Sequence, residues 1–218
     1  MARNTITKCY RCDAEGETKE HVPPDSFFPK GYRDCLVTVP SCDEHNSKNS
    51  MDVEYVRNVI VSYIACNTVA RTHFQDKVIR SFENSPKLFD LTVKDVRSIV
   101  INGEETCLFT WDLPRFKAVM EAIAYGLHYK DFTKTYNGAW GIFSPSLLSR
   151  RTVFQGLPNG WEKYRGLLTQ LSYTDHPTPQ PRVFKYSIHL WDAGQFAYKF
   201  EFYEGFIVHA LTVRESAA

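Results

Sequence analysis

The first 46 residues contain two pairs of metal-binding side chains with the same spacing. Two residues separate Cys9 from Cys12, and two separate Cys42 from His45. Each pair can bind a metal ion from one tight turn, and two such pairs complete the closed tetrahedron typical of structural zinc. A closed site leaves no position for water. We therefore expect this zinc to stabilise a module that is too small to have a strong core of its own.

The remaining cysteines leave two alternatives open. Cys35 can replace His45 as the fourth ligand, but it lacks a partner at the same spacing, and we expect it to face the core of a short strand. The paired cysteines can also be buried free thiols whose spacing is accidental. Cys66 and Cys107 are isolated, and we expect them to be small buried apolar groups.

A second set of polar side chains is interleaved with the two pairs. Glu20 and His21 are adjacent, and Asn46 directly follows the second pair. A carboxylate and a carboxamide oxygen are hard ligands that suit Mg²⁺ or Mn²⁺. A histidine can take a proton from water near neutral pH. The set predicts a general base beside a divalent cation, although His21 can instead be a polar cap of the zinc fold.

The order of these motifs resembles the HNH (ββα-metal) endonuclease family with zinc-ribbon knuckles. The series is Cys-x2-Cys, Glu-His-Val-Pro-Pro, a short apolar strand and Cys-x2-His-Asn, and the resemblance covers residues 9–66. It implies that His21 is the general base and that Glu20 and Asn46 hold a catalytic Mg²⁺ or Mn²⁺. It also implies a bacterial or phage-type protein acting in restriction or anti-phage defence. The structural zinc would be held by Cys9, Cys12, Cys42 and His45.

Two departures from the family pattern support a second hypothesis. The family's middle Asn is absent, and Asp34 or Cys35 occupies its neighbourhood. The dipeptide is Glu-His, where Asp-His is commoner. The alternative is a catalytically weak, zinc-stabilised module that binds nucleic acid or protein.

Three basic residues lie beside the predicted site. Lys30, Arg33 and Lys48 can contact phosphates, although a solvated surface explains them as well. The whole chain has 26 basic and 25 acidic residues, so nucleic-acid binding must depend on a local patch. We expect DNA as the substrate, and RNA stays open.

The elements that must position these residues can be predicted from sequence patterns. A short strand is expected over Thr18 to Val22, and a second over Cys35 to Val39, stopping at Pro40. From Asp52, apolar residues recur at three- and four-residue steps, which predicts a helix. A second helix is expected over residues 69–83.

The remaining residues predict a mixed α and β region. Asn-Gly at residues 102–103 predicts a hairpin, and Asp112-Leu-Pro114 begins a helix. A further helix is expected over 161–171, followed by a Pro-rich connector over 174–181. Partly alternating polar and apolar residues predict three antiparallel strands over 183–191, 196–202 and 206–213.

Together these elements predict an α+β protein in two parts. Residues 1–84 would form an N-terminal ββα-metal HNH module with structural zinc and a long helical extension. Residues 85–218 would form an accessory α+β domain with an antiparallel sheet, whose aromatic strands make a core or an interface with a second copy or a protein partner.

The hydropathy of the chain favours a cytoplasmic protein. Its longest mostly apolar run, residues 59–65, is about a third of the roughly 20 residues that a membrane span needs. The first residues lack the hydrophobic core of a signal peptide. We therefore expect no membrane partner.

Overall fold

The computed structural model describes residues 7–46, 50–101, 103–146, 166–168, 170–191 and 194–213. Over these residues the chain is a mixed α+β protein with helices and antiparallel sheets, which confirms the predicted class. None of the helices in the described ranges has the length and apolar character needed to span a bilayer.

A two-stranded antiparallel ribbon precedes the first helices. Its strands are β1 (Thr18–His21) and β2 (Thr38–Ser41), so β2 begins later than predicted and runs through Pro40. The Val22 N–H donates to the Val37 carbonyl at 2.9 Å, and hydrogen-bonded pairs alternate along an antiparallel ribbon. Pro40 therefore occupies a position that needs no N–H donor, which explains why it does not end the strand.

The unpaired cysteines differ from expectation in two places. Cys35 is exposed, has a left-handed φ of 57° and lies before the start of β2, so the prediction that it faces the core of a strand is wrong. Cys107 is also exposed, contrary to expectation, whereas Cys66 is buried as predicted.

Helices follow the ribbon, as the periodicity predicts. The first are α1 (Asp43–Asn46) and α2 (Ser50–Val61). The second predicted helix is observed as one helical run with an unpredicted π-helical segment in its middle. Its parts are α3 (Thr68–His73), the π segment (Phe74–Ile79) and α4 (Arg80–Asn84).

A hairpin and a long helix lead into the C-terminal half. After α5 (Pro86–Thr92), β3 (Lys94–Ile101) pairs with β4 (Glu104–Thr110) as the predicted hairpin. The predicted helix at Asp112 is α6 (Leu113–Phe132), and the Asp112 side chain caps it by accepting from the Arg115 N–H.

Among the described residues of the C-terminal half is a five-stranded antiparallel sheet, in the order β5-β9-β8-β7-β6. The three predicted strands are β7 (Phe184–Leu190), β8 (Phe196–Phe202) and β9 (Phe206–Val213). Two more were not predicted: β5 (Ala139–Phe143), and β6 (Thr174–His176) in the stretch expected to be a connector. The helix predicted over 161–171 lies mostly outside the described residues.

One hydrophobic cluster links the helices to the sheet. It includes Val56 and Ile60 of α2, Met120 of α6, and Phe202 and Phe206 of the sheet, and each is almost fully buried. Side chains from both sides of residue 84 therefore share a core. The division of the chain into residues 1–84 and 85–218 stays a prediction.

Candidate metal centre and adjoining cavity

The two sequence pairs meet in one cluster of four side chains. The ligand atoms of Cys9, Cys12, Cys42 and His45 all lie within 4.8 Å of one another. Nδ1 of His45 is 3.6 Å from the sulfur atoms of Cys9 and Cys12 and 3.3 Å from that of Cys42. The sulfur atoms of Cys12 and Cys42 are 3.8 Å apart.

These distances suit a tetrahedral zinc ion. With Zn–S bonds of about 2.3 Å and Zn–N bonds of about 2.0–2.1 Å, neighbouring ligands lie about 3.6–3.8 Å apart. The four side chains can therefore hold a metal such as zinc. With all four positions filled by protein atoms, such an ion would be structural rather than catalytic.

Backbone hydrogen bonds explain why each pair presents its ligands together. The Cys9 N–H donates to the Ala14 carbonyl at 2.9 Å, which closes the first turn, and the Arg11 N–H points to the Cys9 sulfur at 3.5 Å. In the second pair, the His45 N–H donates to the Cys42 carbonyl at 3.1 Å, in the first turn of α1. Both spacers are thus short turns.

A cavity of about 370 Å³ adjoins the cluster and contains the second predicted set. Glu20, His21 and Asn46 all line it, and so does His45 of the metal cluster. We call it the site cavity. Its other charged or hydroxyl-bearing lining residues include Asp25, Ser26, Glu54, Arg57 and Lys77.

Two contacts fix the walls of the site cavity. The Asn46 amide donates from Nδ2 to Oγ1 of Thr18 at 2.8 Å, which ties α1 to β1. On the other side, Val22 follows His21 directly and packs against Gly126 of α6. A Cβ atom at Gly126 would lie 2.9 Å from one γ-carbon of Val22 and closer still to the other. The end of β1 therefore rests on α6.

The carboxyl group of Glu20 is in an environment that disfavours its charge. Partial burial, and then the nearby Asp25 carboxylate, raise its pKa to about 7. A divalent cation beside these two carboxylates would offset both effects. Sequence reasoning missed Asp25, which follows Glu20 by five residues just after the two prolines.

A buried guanidinium group also lines the site cavity. Arg57 is 2% exposed. Its Nη2 donates to Glu54 at 3.0 Å and to Asn58 at 2.6 Å, and Nε donates to Asn58 at 3.1 Å. The sequence contained a signal, since Arg57 lies between the apolar helix positions Val56 and Val59.

Two of the three predicted phosphate-binding residues line a second cavity and not the site cavity. Lys30 and Arg33 line a second cavity, of about 870 Å³, and Lys48 lies outside the described residues. Arg33 donates from Nε to the Phe28 carbonyl at 2.9 Å and lies 3.4 Å from Asp25. Lys77 lines both cavities.

Comparisons with known proteins add no relative. Neither the family models, nor the curated proteins, nor the solved structures gave a match. The functional argument therefore depends on the motifs and on the geometry of the site cavity.

Proposed function

We propose that this protein is a metal-dependent endonuclease of the HNH type that hydrolyses phosphodiester bonds in DNA. One observation carries the proposal. Glu20, His21 and Asn46, which the family resemblance assigns to catalysis, line one cavity beside a Cys₃His cluster. A role in restriction or anti-phage defence rests on the family resemblance alone.

Each of the three residues would have a separate role. His21 would take a proton from water, so that the water oxygen attacks phosphorus while the bond to the leaving oxygen breaks. Glu20 and Asn46 would hold one Mg²⁺ or Mn²⁺ beside the phosphate. This cation would stabilise the negative charge that develops on the phosphate and on the leaving oxygen.

Two cations of the chain support this chemistry. Arg57 and Lys77 line the same cavity, where the positive charge of each suits a phosphate group. Arg57 is held rigidly by Glu54 and Asn58, so it would need little reorganisation on substrate binding.

Plasmid nicking tests the proposal. Full-length protein would be incubated with supercoiled plasmid and Mg²⁺ or Mn²⁺, and we expect His21→Ala to lower the nicking rate at least roughly 100-fold. His189→Ala is the matched control, because His189 bonds the Ser172 carbonyl and lines neither cavity. Equal nicking by wild type and His21→Ala would contradict the mechanism.

A second candidate function is binding without cleavage. Its supporting observation is that neither Asp34 nor Cys35, where the family's middle Asn is missing, lines the site cavity. A zinc-stabilised module would then bind nucleic acid or protein and leave plasmid intact with every divalent cation. Cleavage that disappears in His21→Ala would exclude this candidate.

A further inference from the structure

The second cavity has a strong local positive charge. Among the described residues, four cations line it, Lys30, Arg33, Lys77 and Arg182, against the single carboxylate of Asp76. We call it the basic cavity. This concentration contrasts with a net charge of +1 for the whole chain, so the cavity is one place where a polyanion would be favoured.

Two elements far apart in sequence build the basic cavity. Arg182 precedes β7, and its Nη2 donates to Thr68 Oγ1 at 3.3 Å at the start of α3. The Asn67 side chain donates from Nδ2 to the Arg182 carbonyl at 2.8 Å and holds this backbone in place. Arg182 is thus anchored beside the helix that carries Lys77.

A buried histidine in the wall of the basic cavity has one ring nitrogen without a hydrogen-bond partner among the described residues. His73 is 3% exposed, and its Nε2 has no hydrogen-bond partner among the described residues. The Tyr203 hydroxyl donates its one proton to the Phe27 carbonyl, so Nδ1 of His73 must donate to Tyr203. Nε2 of the neutral ring is therefore a buried acceptor without a partner among the described residues.

The basic cavity offers complementary groups for the phosphate and the base of a nucleotide. Its cations suit phosphates, and the ring of Tyr32 can stack on a base. Its volume of about 870 Å³ lies within the range of about 300–1,000 Å³ usual for ligand sites. Lys77 joins it to the site cavity.

We infer that the basic cavity binds an unpaired nucleotide of a nucleic-acid strand whose neighbouring phosphate lies in the site cavity. The inference rests on the proposed function. An exposed base is needed because Tyr32 can stack only on a base that is free of its pairing partner. Arg182 gives the C-terminal half of the chain a part in holding the strand.

Binding of a labelled oligonucleotide tests the inference. Full-length His21→Ala protein, with Ca²⁺ present, would be titrated into a fluorescein-labelled 12-nucleotide single strand of DNA, and anisotropy followed at several salt concentrations. In this background we expect Arg182→Ala to weaken binding at least threefold and to reduce the salt slope by about 0.7. Tyr32→Ala should weaken binding at least about fivefold with an unchanged slope.

Two further variants separate binding from folding. Tyr32→Phe keeps the ring and should bind like the parent. Arg71→Ala removes the same charge from an exposed position on α3 that lines neither cavity, and it should stay within twofold of the parent. Thermal unfolding of each variant shows that it is folded.

The failures of the two proposals can be told apart. Plasmid cleavage by the wild type, with parent-like binding by Arg182→Ala and Tyr32→Ala, overturns the inference alone. Absent cleavage with the expected binding losses overturns the proposed function alone. Tighter binding of a duplex, with no effect of Tyr32→Ala, also overturns the inference.

Discussion

At the scale of single residues, the burial of Arg57 in the wall of the site cavity lowers the stability of the protein. Removing a guanidinium group from water costs several kcal/mol, which hydrogen bonds and a partner charge only partly offset. Glu54 and Asn58 supply those bonds. An apolar side chain would fill the same helix position without this cost, so the buried charge supports the phosphate-binding role proposed for Arg57.

His73 should make the stability of the protein depend on pH. Burial, and then the charges of Arg57, Lys77 and Arg33, lower its pKa to about 4, against about 6.5 in the unfolded chain. Below pH 6.5 the unfolded chain binds the proton more readily. The free energy of unfolding should therefore fall by up to about 3 kcal/mol as pH drops from 6.5 to 4.

Urea unfolding of wild type and His73→Asn at several pH values measures this effect. Asn keeps a donor for Tyr203 but does not titrate in this range, so the advantage of wild type should shrink steadily from pH 7 to pH 4. His209, whose pKa burial also lowers, is unchanged in both proteins, so its contribution cancels in the difference. A difference that stays constant with pH contradicts the assignment.

At the scale of elements, we expect a bound metal to stabilise the two cysteine-containing turns. We expect the wild type to contain about one zinc per chain. Cys42→Ser should lose this zinc and lower the free energy of unfolding by several kcal/mol, because metal binding contributes directly to folding. Metal analysis and thermal unfolding measure both effects.

Cys107→Ser is the matched control for this change. Cys107 is exposed on β4 and is not part of the four-residue cluster, so both zinc content and stability should be unchanged. Full zinc content in Cys42→Ser would contradict the ligand assignment.

Local sequence patterns predicted some elements and missed others for physical reasons. Strands β7, β8 and β9 were predicted because partial alternation of apolar side chains reflects a half-exposed sheet. The sequence of β5, Ala-Trp-Gly-Ile-Phe, has no such alternation, and its pairing with β9 determines its conformation. A strand was predicted up to Val39, but its continuation through Pro40 was missed because only the register shows that no N–H donor is needed at that position.

The residues of the candidate site also divide into those that could be predicted from the sequence and those that could not. Cys9, Cys12, Cys42 and His45 could be predicted because their spacing follows from the geometry of one ion. Arg182 could not be assigned to the basic cavity from sequence, because more than a hundred residues separate it from Thr68, which it contacts. Only the packing of the whole chain brings the two together.

At the scale of the whole molecule, a substitution at Gly205 tests how closely the sheet packs on the helices. It follows β8, and a Cβ atom there would collide with the carbonyl group of Ala65, in the link between α2 and α3. The Ala65 carbonyl belongs to the backbone, so it cannot move aside as the end of a flexible side chain can. We expect Gly205→Ala to lower the free energy of unfolding by about 1–3 kcal/mol, as measured by urea unfolding.

Gly141→Ala provides the comparison for the collision at Gly205. At Gly141, in β5, a Cβ atom would meet the Val213 side chain at 3.4 Å, an ordinary contact, so the change should be within about 0.5 kcal/mol. Equal stability of the two variants would show that the link between α2 and α3 is not held against the sheet.

The short strand β6 has a consequence for how copies of the chain meet at high concentration. An exposed strand edge invites a second molecule to extend the sheet, which is a common first step towards aggregation. Within the described part of the chain, the sheet ends on this side with only three residues, and Pro177 follows immediately. A neighbouring molecule would find few unpaired backbone groups there. This edge therefore disfavours the addition of further molecules that would extend the sheet into a fibre.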